Sequence, residues 1–195
     1  MKKENERKEY IIKSIRKALL NKNTIKSITY DSSSATTANN DDPSVVFVEN
    51  FVGRNGNIMY STNENEIKSH LQYILSKYNN ATICCCSNTL TKYFNSIGFN
   101  QIEPSTEVKH FDIAIVPCES IIANNATMLV SNGQGHLELP KVIVLFAFTS
   151  QSVMTWKDAV NRIKSQYNDN IPEQMVLLDI NNKSFEQVYL LLTED

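Results

Sequence analysis

The stretch Asp112–Pro140, D-I-A-I-V-P-C-E-S-I-I-A-N-N-A-T-M-L-V-S-N-G-Q-G-H-L-E-L-P, decides the fold. Two short apolar runs, Ile113–Val116 and Met128–Val130, flank polar turns rich in Asn, Ser and Gly. A third run, Val142–Phe148, follows the second turn almost at once. Continuous apolar runs of this length suit strands buried on both faces, as in a parallel sheet covered by helices. Such strands deliver small and polar groups to their ends, where a ligand can meet exposed backbone amides.

Outward from this segment, helices and strands alternate. Glu4–Leu20 has the three- and four-residue apolar spacing of an amphipathic helix, on Ile11, Ile12, Ile15, Ala18 and Leu19. Asn21–Asp42 is rich in Ser, Thr, Asn and Asp and is expected to be a flexible linker. Ser44 is expected to cap a helix carrying Val45, Val48, Phe51 and Val52 on one stripe. Further helices are expected over Glu64–Tyr78, Thr89–Ile97 (closed by Gly98) and Trp156–Gln166. Strands are expected at Asn57–Ser61, Ala81–Cys86, Asp112–Val116, Ala126–Ser131, Lys141–Phe148, Met175–Ile180 and Phe185–Leu192. The fold class is therefore α/β, a mostly parallel sheet flanked by helices, with an N-terminal helical arm. The division expected is an arm and linker over 1–42 and an α/β domain over 43–195. The connection within Thr127–Phe148 is too short for a helical crossover, so that pair should be antiparallel or sharply bent.

Composition narrows the classes of function. A formal net charge of -2 suggests neither a nucleic-acid binder nor an acidic tail. The N-terminal Lys and Arg residues are interleaved with Glu4, Glu6 and Glu9, as on a solvated helix face. Charged residues stand where a signal peptide would need an apolar region, and no run nears the ~20 residues of a membrane helix. A cytoplasmic, soluble protein without membrane or nucleic-acid partners is expected. Cys84, Cys85, Cys86 and Cys118 lack metal-ligand spacing, and His70, His110 and His136 add none, so free thiols and no metal site are expected.

Among residues that carry chemistry, the Ser131–His136 turn stands out. Gly133 and Gly135 permit positive φ, so the backbone there, with Gln134 and His136, can approach an anionic or carbonyl ligand. The spacing matches neither the dinucleotide fingerprint nor a P-loop. Glu119, expected just past a strand, suits a base, nucleophile or ligand hook, and equally a turn cap. Asn124, Asn125 and Thr127 offer amides and a hydroxyl to a small polar ligand, though adjacent asparagines also suit turns. Cys118 lacks a local base and reads as structural.

These residues carry a resemblance to the LUD domain, typified by the lactate-utilization protein C family. Those sequences have an A-[DE]-T-G-[TS] motif, an apolar strand and a Gly-rich turn such as G-P-G-Q-G-R. Here A-N-N-A-T (Ala123–Thr127) and N-G-Q-G-H (Asn132–His136) take those places, with Cys118–Glu119 upstream. F-V-E-N-F-V-G-R-N-G-N-I (Phe47–Ile58) and the I-R-x-x-L pattern of Ile15–Leu19 extend the likeness. Asn124 stands where the family has an acid, Asn125 a threonine, Ala126 a glycine and His136 a basic residue.

The resemblance implies a fold similar to CoA-transferases, ribose-5-phosphate isomerase and sugar-phosphate deaminases. It also implies a link to L-lactate or related hydroxy-acid utilization, beside partner subunits bearing iron–sulfur clusters. No cofactor is expected in this chain. The ligand pocket expected comprises Glu119, Asn124, Asn125, Thr127, Gly133, Gln134, Gly135 and His136. Two other classes remain: a non-catalytic scaffold assembling, also with copies of itself, through its N-terminal helix, and an isomerase- or transferase-like enzyme using Glu119.

Overall fold

The computed structural model describes residues 2–20, 42–104, 111–131, 140–168, 171–172, 175–181 and 184–195. Five helices are described: α1 (Lys2–Leu20), α2 (Pro43–Gly53), α3 (Glu64–Ser76), α4 (Asn88–Ser96) and α5 (Trp156–Tyr167). The strands are β1 (Asn57–Ser61), β2 (Ile83–Cys85), β3 (Glu103–Pro104), β4 (Ile113–Ile122), β5 (Thr127–Ser131), β6 (Val142–Phe148), β7 (Ser152–Val153), β8 (Met175–Leu178) and β9 (Gln187–Thr193). A parallel row runs β1-β9-β6-β4-β2-β3. The second half of β4 carries a branch, with β7 parallel to it and β5 and then β8 antiparallel. The α/β fold with a mostly parallel sheet between helices is thus the one the sequence implies.

The alternation of side chains divides two cores. Ile143, Leu145 and Ala147 of β6 pack with Leu190 and Leu192 of β9, and with Phe47, Val48 and Phe51 of α2. Val142, Val144 and Phe146 point the other way, onto Ile67, Leu71 and Ile74 of α3 and Leu90 and Phe94 of α4. A strand with helices on both faces has no polar side to offer, which is why β6 reads V-I-V-L-F-A-F without interruption. The cysteines obey the same rule: Cys84 belongs to the α2 core and Cys85 to the opposite one. Helix α1 lies against α2 with Ile15 fully buried. The expected linker, apart from Asp42, lies outside the described residues.

Several boundaries differ from those expected. The cap of α2 is Asp42, not Ser44: its carboxylate accepts from the Ser44 amide at 3.0 Å and from the Ser44 hydroxyl at 2.6 Å. Pro43 follows at the first helical position, where its missing N–H costs nothing. Strand β4 does not stop at Val116 but continues through Pro117 and Glu119 to Ile122. Consequently β5 pairs with β4 and β8, both antiparallel, and not with β6.

Gly56 marks the tight step from α2 into β1. Its amide bonds to the Phe51 carbonyl at 2.8 Å, and an added Cβ would overlap the Phe51 ring and lie 2.7 Å from that carbonyl oxygen. Because a backbone atom is involved, rotamer change cannot relieve the overlap. Gly56→Ala should destabilise the fold by ~1–3 kcal/mol, read as a lower urea midpoint with an unchanged slope; an unaltered midpoint would contradict this packing.

Candidate functional site

Strand β4 changes neighbours midway. Ile113, Ala114 and Ile115 pair with β2 on one edge, and Ile113–Pro117 pair with β6 on the other. Chain β2 then turns away into α4, while β5 joins β4 from Cys118 onward. Strand β7 follows β6 after a single 3-10 turn, Thr149–Gln151, and pairs with Ile121 and Ile122. Those residues also pair with β5, so β5 and β7 occupy opposite edges of β4. Since β7 continues on the β6 edge, β5 takes the edge that β2 leaves. Between the departure of β2 and the arrival of β5 the sheet is open.

That opening is a cleft of about 470 Å³. Its floor is Pro117, Cys118 and Glu119; one wall is Cys86 with Ser87, Asn88 and Thr89 at the start of α4. Ser131, Gln151, Gln166 and Tyr167 complete it. Pro117 has no N–H to leave unsatisfied where the ladder parts. The register shifts between Cys118 and Ser120, a bulge of the kind that re-aims a side chain. Gln151 ties β4 to the end of β6, donating to the Cys118 carbonyl at 2.6 Å and accepting from the Phe148 amide at 2.7 Å.

Glu119 is the centre of the site. It is 6% exposed, and a carboxylate so buried needs hydrogen-bond donors. Ser131 Oγ donates to its Oε1. The Tyr167 hydroxyl lies 2.9 Å from both carboxylate oxygens. Burial, then the bond to Glu119, pushes the Tyr167 phenol up to about 12, so it stays a donor at neutral pH.

Across the cleft, the Ser87 hydroxyl accepts from the Leu90 amide at 3.3 Å, and the Ser87 carbonyl takes the Thr91 amide at 2.9 Å. Asn88 and Thr89, the first two residues of α4, have amides with no acceptor inside the helix. The helix N-terminus adds a partial positive charge there. The cleft thus holds a hydroxyl-bridged carboxylate and the N-terminal residues of a helix, whose end favours anions. Both of its thiols are shifted toward the protonated form. Burial, then the charge of Glu119, pushes the Cys118 thiol up, while the bond to Cys84, then burial, raises Cys86.

Of the residues expected to line a pocket, Glu119 lies in this cleft, in mid-strand and not past a strand end. Asn124 and Asn125 sit in the β4–β5 turn and Thr127 opens β5, its hydroxyl donating to the Asn125 side chain at 2.8 Å. Thr127 is four residues from Ser131, about 13 Å along the strand, so the structure does not bring these three to Glu119. Ala126 adopts φ 48 in that turn, where the glycine of the resembling motif would sit without strain. Gly133, Gln134, Gly135 and His136 lie outside the described residues, as does His110. His70 accepts or donates at 2.9 Å to the buried Ser61 hydroxyl and stands apart from the cleft. Tyr167 and Gln151 gave no signal in the sequence, since both come from distant segments.

No family model matches the chain, and no curated protein matches it. A solved structure of similar fold is that of a DUF162 family protein from Deinococcus radiodurans. The likeness has a TM-score of 0.56 at 13% identity, covering 77% of this chain and 94% of that one. At such identity it establishes a shared α/β fold.

The tyrosine–carboxylate pair has a signature. A folded-state phenol raised from 10.0 to about 12 retains a proton that the unfolded chain releases. Its contribution to stability is complete below pH 10 and is lost as pH rises toward about 12. Tyr167→Phe should therefore flatten the fall of stability with pH across that window, measured by urea titration. An identical slope in the two proteins would remove the pair from the account.

Proposed function

We propose that this chain is a divergent LUD-domain protein acting in L-lactate or related hydroxy-acid utilization, its cleft binding a small anionic ligand. The observation carrying the binding reading is Glu119, buried and bridged by two hydroxyls, in one cleft with the first residues of α4, whose amides have no acceptor within the helix. A ligand carboxylate or phosphate would take the Asn88 and Thr89 amides. A hydroxyl or carbonyl on the same ligand would meet the Tyr167–Glu119 pair. The family reading draws on Ala123–Thr127 and Asn132–His136, and on the fold shared with a protein described as DUF162, the LUD-domain family. In this reading the chain is a cytoplasmic accessory or subunit of an oxidation complex whose iron–sulfur clusters sit in partner subunits.

A second reading has one observation in its favour: a buried carboxylate at the point where parallel strands part is suited to moving a proton. Isomerase- or transferase-like chemistry would then run on Glu119. Glu119→Gln keeps an acceptor for Tyr167 but cannot take a proton. Turnover lost with ligand affinity kept would favour this second reading.

Lactate, pyruvate, phosphate and acyl-CoA compounds are the probes for the first. A ligand at 100 times its Kd adds ~2.7 kcal/mol of stability, visible as a raised Tm. Asn88→Pro deletes one cleft amide at a helix position that tolerates proline, and Ser87, at φ -141 and ψ 120, already has the extended backbone a following proline requires. Affinity should fall ~10-fold or more with the Tm of the free protein unchanged. A flat response to every probe, or undiminished affinity in the proline variant, would sink the reading.

A further inference from the structure

One edge of β4 has a gap in its ladder, and a side chain fills it. Pairing with β6 ends at Pro117 opposite Phe146, and pairing with β7 begins at Ile121 opposite Ser152. Three residues of β4 (Cys118, Glu119 and Ser120) thus stand against five, Ala147 to Gln151, on the other side. The turn Thr149–Gln151 takes up the surplus. Gln151 Nε2 donates to the Cys118 carbonyl at 2.6 Å, while Gln151 Oε1 accepts from the Phe148 amide at 2.7 Å. A primary amide offers the donor and the acceptor of a peptide unit. Here it is an inserted rung between a β6 N–H and a β4 C=O. Those two partners also fix its orientation, since a reversed amide would set donor against donor and acceptor against acceptor. The turn beneath it is held as well. Asp195 accepts from the Ser150 amide at 3.0 Å and its hydroxyl at 2.9 Å, and Arg162 donates to the Ser150 carbonyl at 3.1 Å.

We propose that Gln151 is the positioning residue for Glu119, holding the peptide before it so that the carboxylate meets Tyr167 and Ser131 in the cleft. The Cys118 carbonyl belongs to the peptide unit that carries the Glu119 nitrogen. On the β5 edge the register steps from Cys118 to Ser120, so Glu119 has no opposite residue there. On the other edge it falls within the gap between β6 and β7. Strand pairing therefore fixes Glu119 from neither side, and the bond to the adjoining carbonyl supplies what the ladder omits. Glutamine alone has the length and both functions. Asparagine is one methylene short, glutamate at neutral pH accepts without donating, and methionine does neither. The hydroxyls of Ser131 and Tyr167 can bridge one carboxylate only if it is delivered to a set place, since a buried charge that misses its donors is costly. The proposal rests on Glu119 as the centre of the cleft and not on which ligand the cleft takes.

A double-mutant cycle tests it on the full chain without any ligand, so a cleft that ignored every small-molecule probe would leave the outcome untouched. Gln151→Met keeps the bulk and removes both bonds. Combined with Tyr167→Phe, its effect on the unfolding constant in urea should fall short of the product of the single effects by at least ~3-fold, because both changes loosen one carboxylate. In isotope-labelled protein at neutral pH, the Glu119 carboxyl and Tyr167 ring-carbon resonances should both move in Gln151→Met. They should stay in place in Gly56→Ala, which weakens the fold outside the cleft lining. Should the methionine variant not fold, wild type still reports on the rung. A Gln151 side-chain amide proton should exchange with solvent at least ~5-fold more slowly than those of the exposed Gln72. An additive cycle, unmoved Glu119 and Tyr167 signals, equal movement in Gly56→Ala, or Gln151 protons that exchange like those of Gln72 would each overturn the assignment.

Discussion

The parting of β4 from β2 is the constraint on which the rest of the molecule depends. A strand has two edges, and each must be paired or solvated. Over Ile113–Ile115 both edges of β4 are taken by parallel strands, and over Ile121–Ile122 both are taken by different ones. Between these regimes the ladder must break, and the chain manages the break with a proline, a bulge and the side-chain amide of Gln151. The cleft exists because no single sheet can twist smoothly through that exchange of neighbours. Its chemistry follows from position: strand ends on the floor and a helix N-terminus in the wall.

Electrostatics then explains the side chains. A carboxylate at 6% exposure would be costly alone, and two hydroxyls lower that cost without neutralising it. The amides of α4 offer further favourable potential, which falls off within the helix's first turn. An anion arriving at Asn88 and Thr89 would meet donors already oriented by the Ser87 cap. Burial, then the adjacent charge of Glu119, pushes the Cys118 thiol up, whereas an anion at Asn88 and Thr89 would be held by the donors of the helix N-terminus. One chemistry is favoured at the expense of the other.

Much of the fold was legible because local and global signals agree. The run V-I-V-L-F-A-F had to be a doubly covered strand, and the spacing of Ile67, Leu71 and Ile74 had to be a helix face. The boundaries of β4 were not legible: Pro117 and the polar Cys-Glu-Ser that follow resemble a strand end, and only pairing with β5 and β7 keeps the chain extended there. Glu119 was readable as a candidate from its place beside that strand. Tyr167 was not, since its role arises from the way α5 lies across β4, a tertiary fact with no local imprint. Asn124 and Asn125 drew attention by composition, and the hairpin turn accounts for them.

If the α4 N-terminus and Glu119 form one ligand site, amide chemical shifts report on it directly. In a titration of the isotope-labelled chain with pyruvate, lactate or phosphate, the Asn88, Thr89 and Glu119 amides should move together along one binding curve. Gly56 and the β1 amides, remote from the cleft, should stay in place. Shifts scattered over other surfaces, or Glu119 and Asn88 responding to different compounds, would contradict the account.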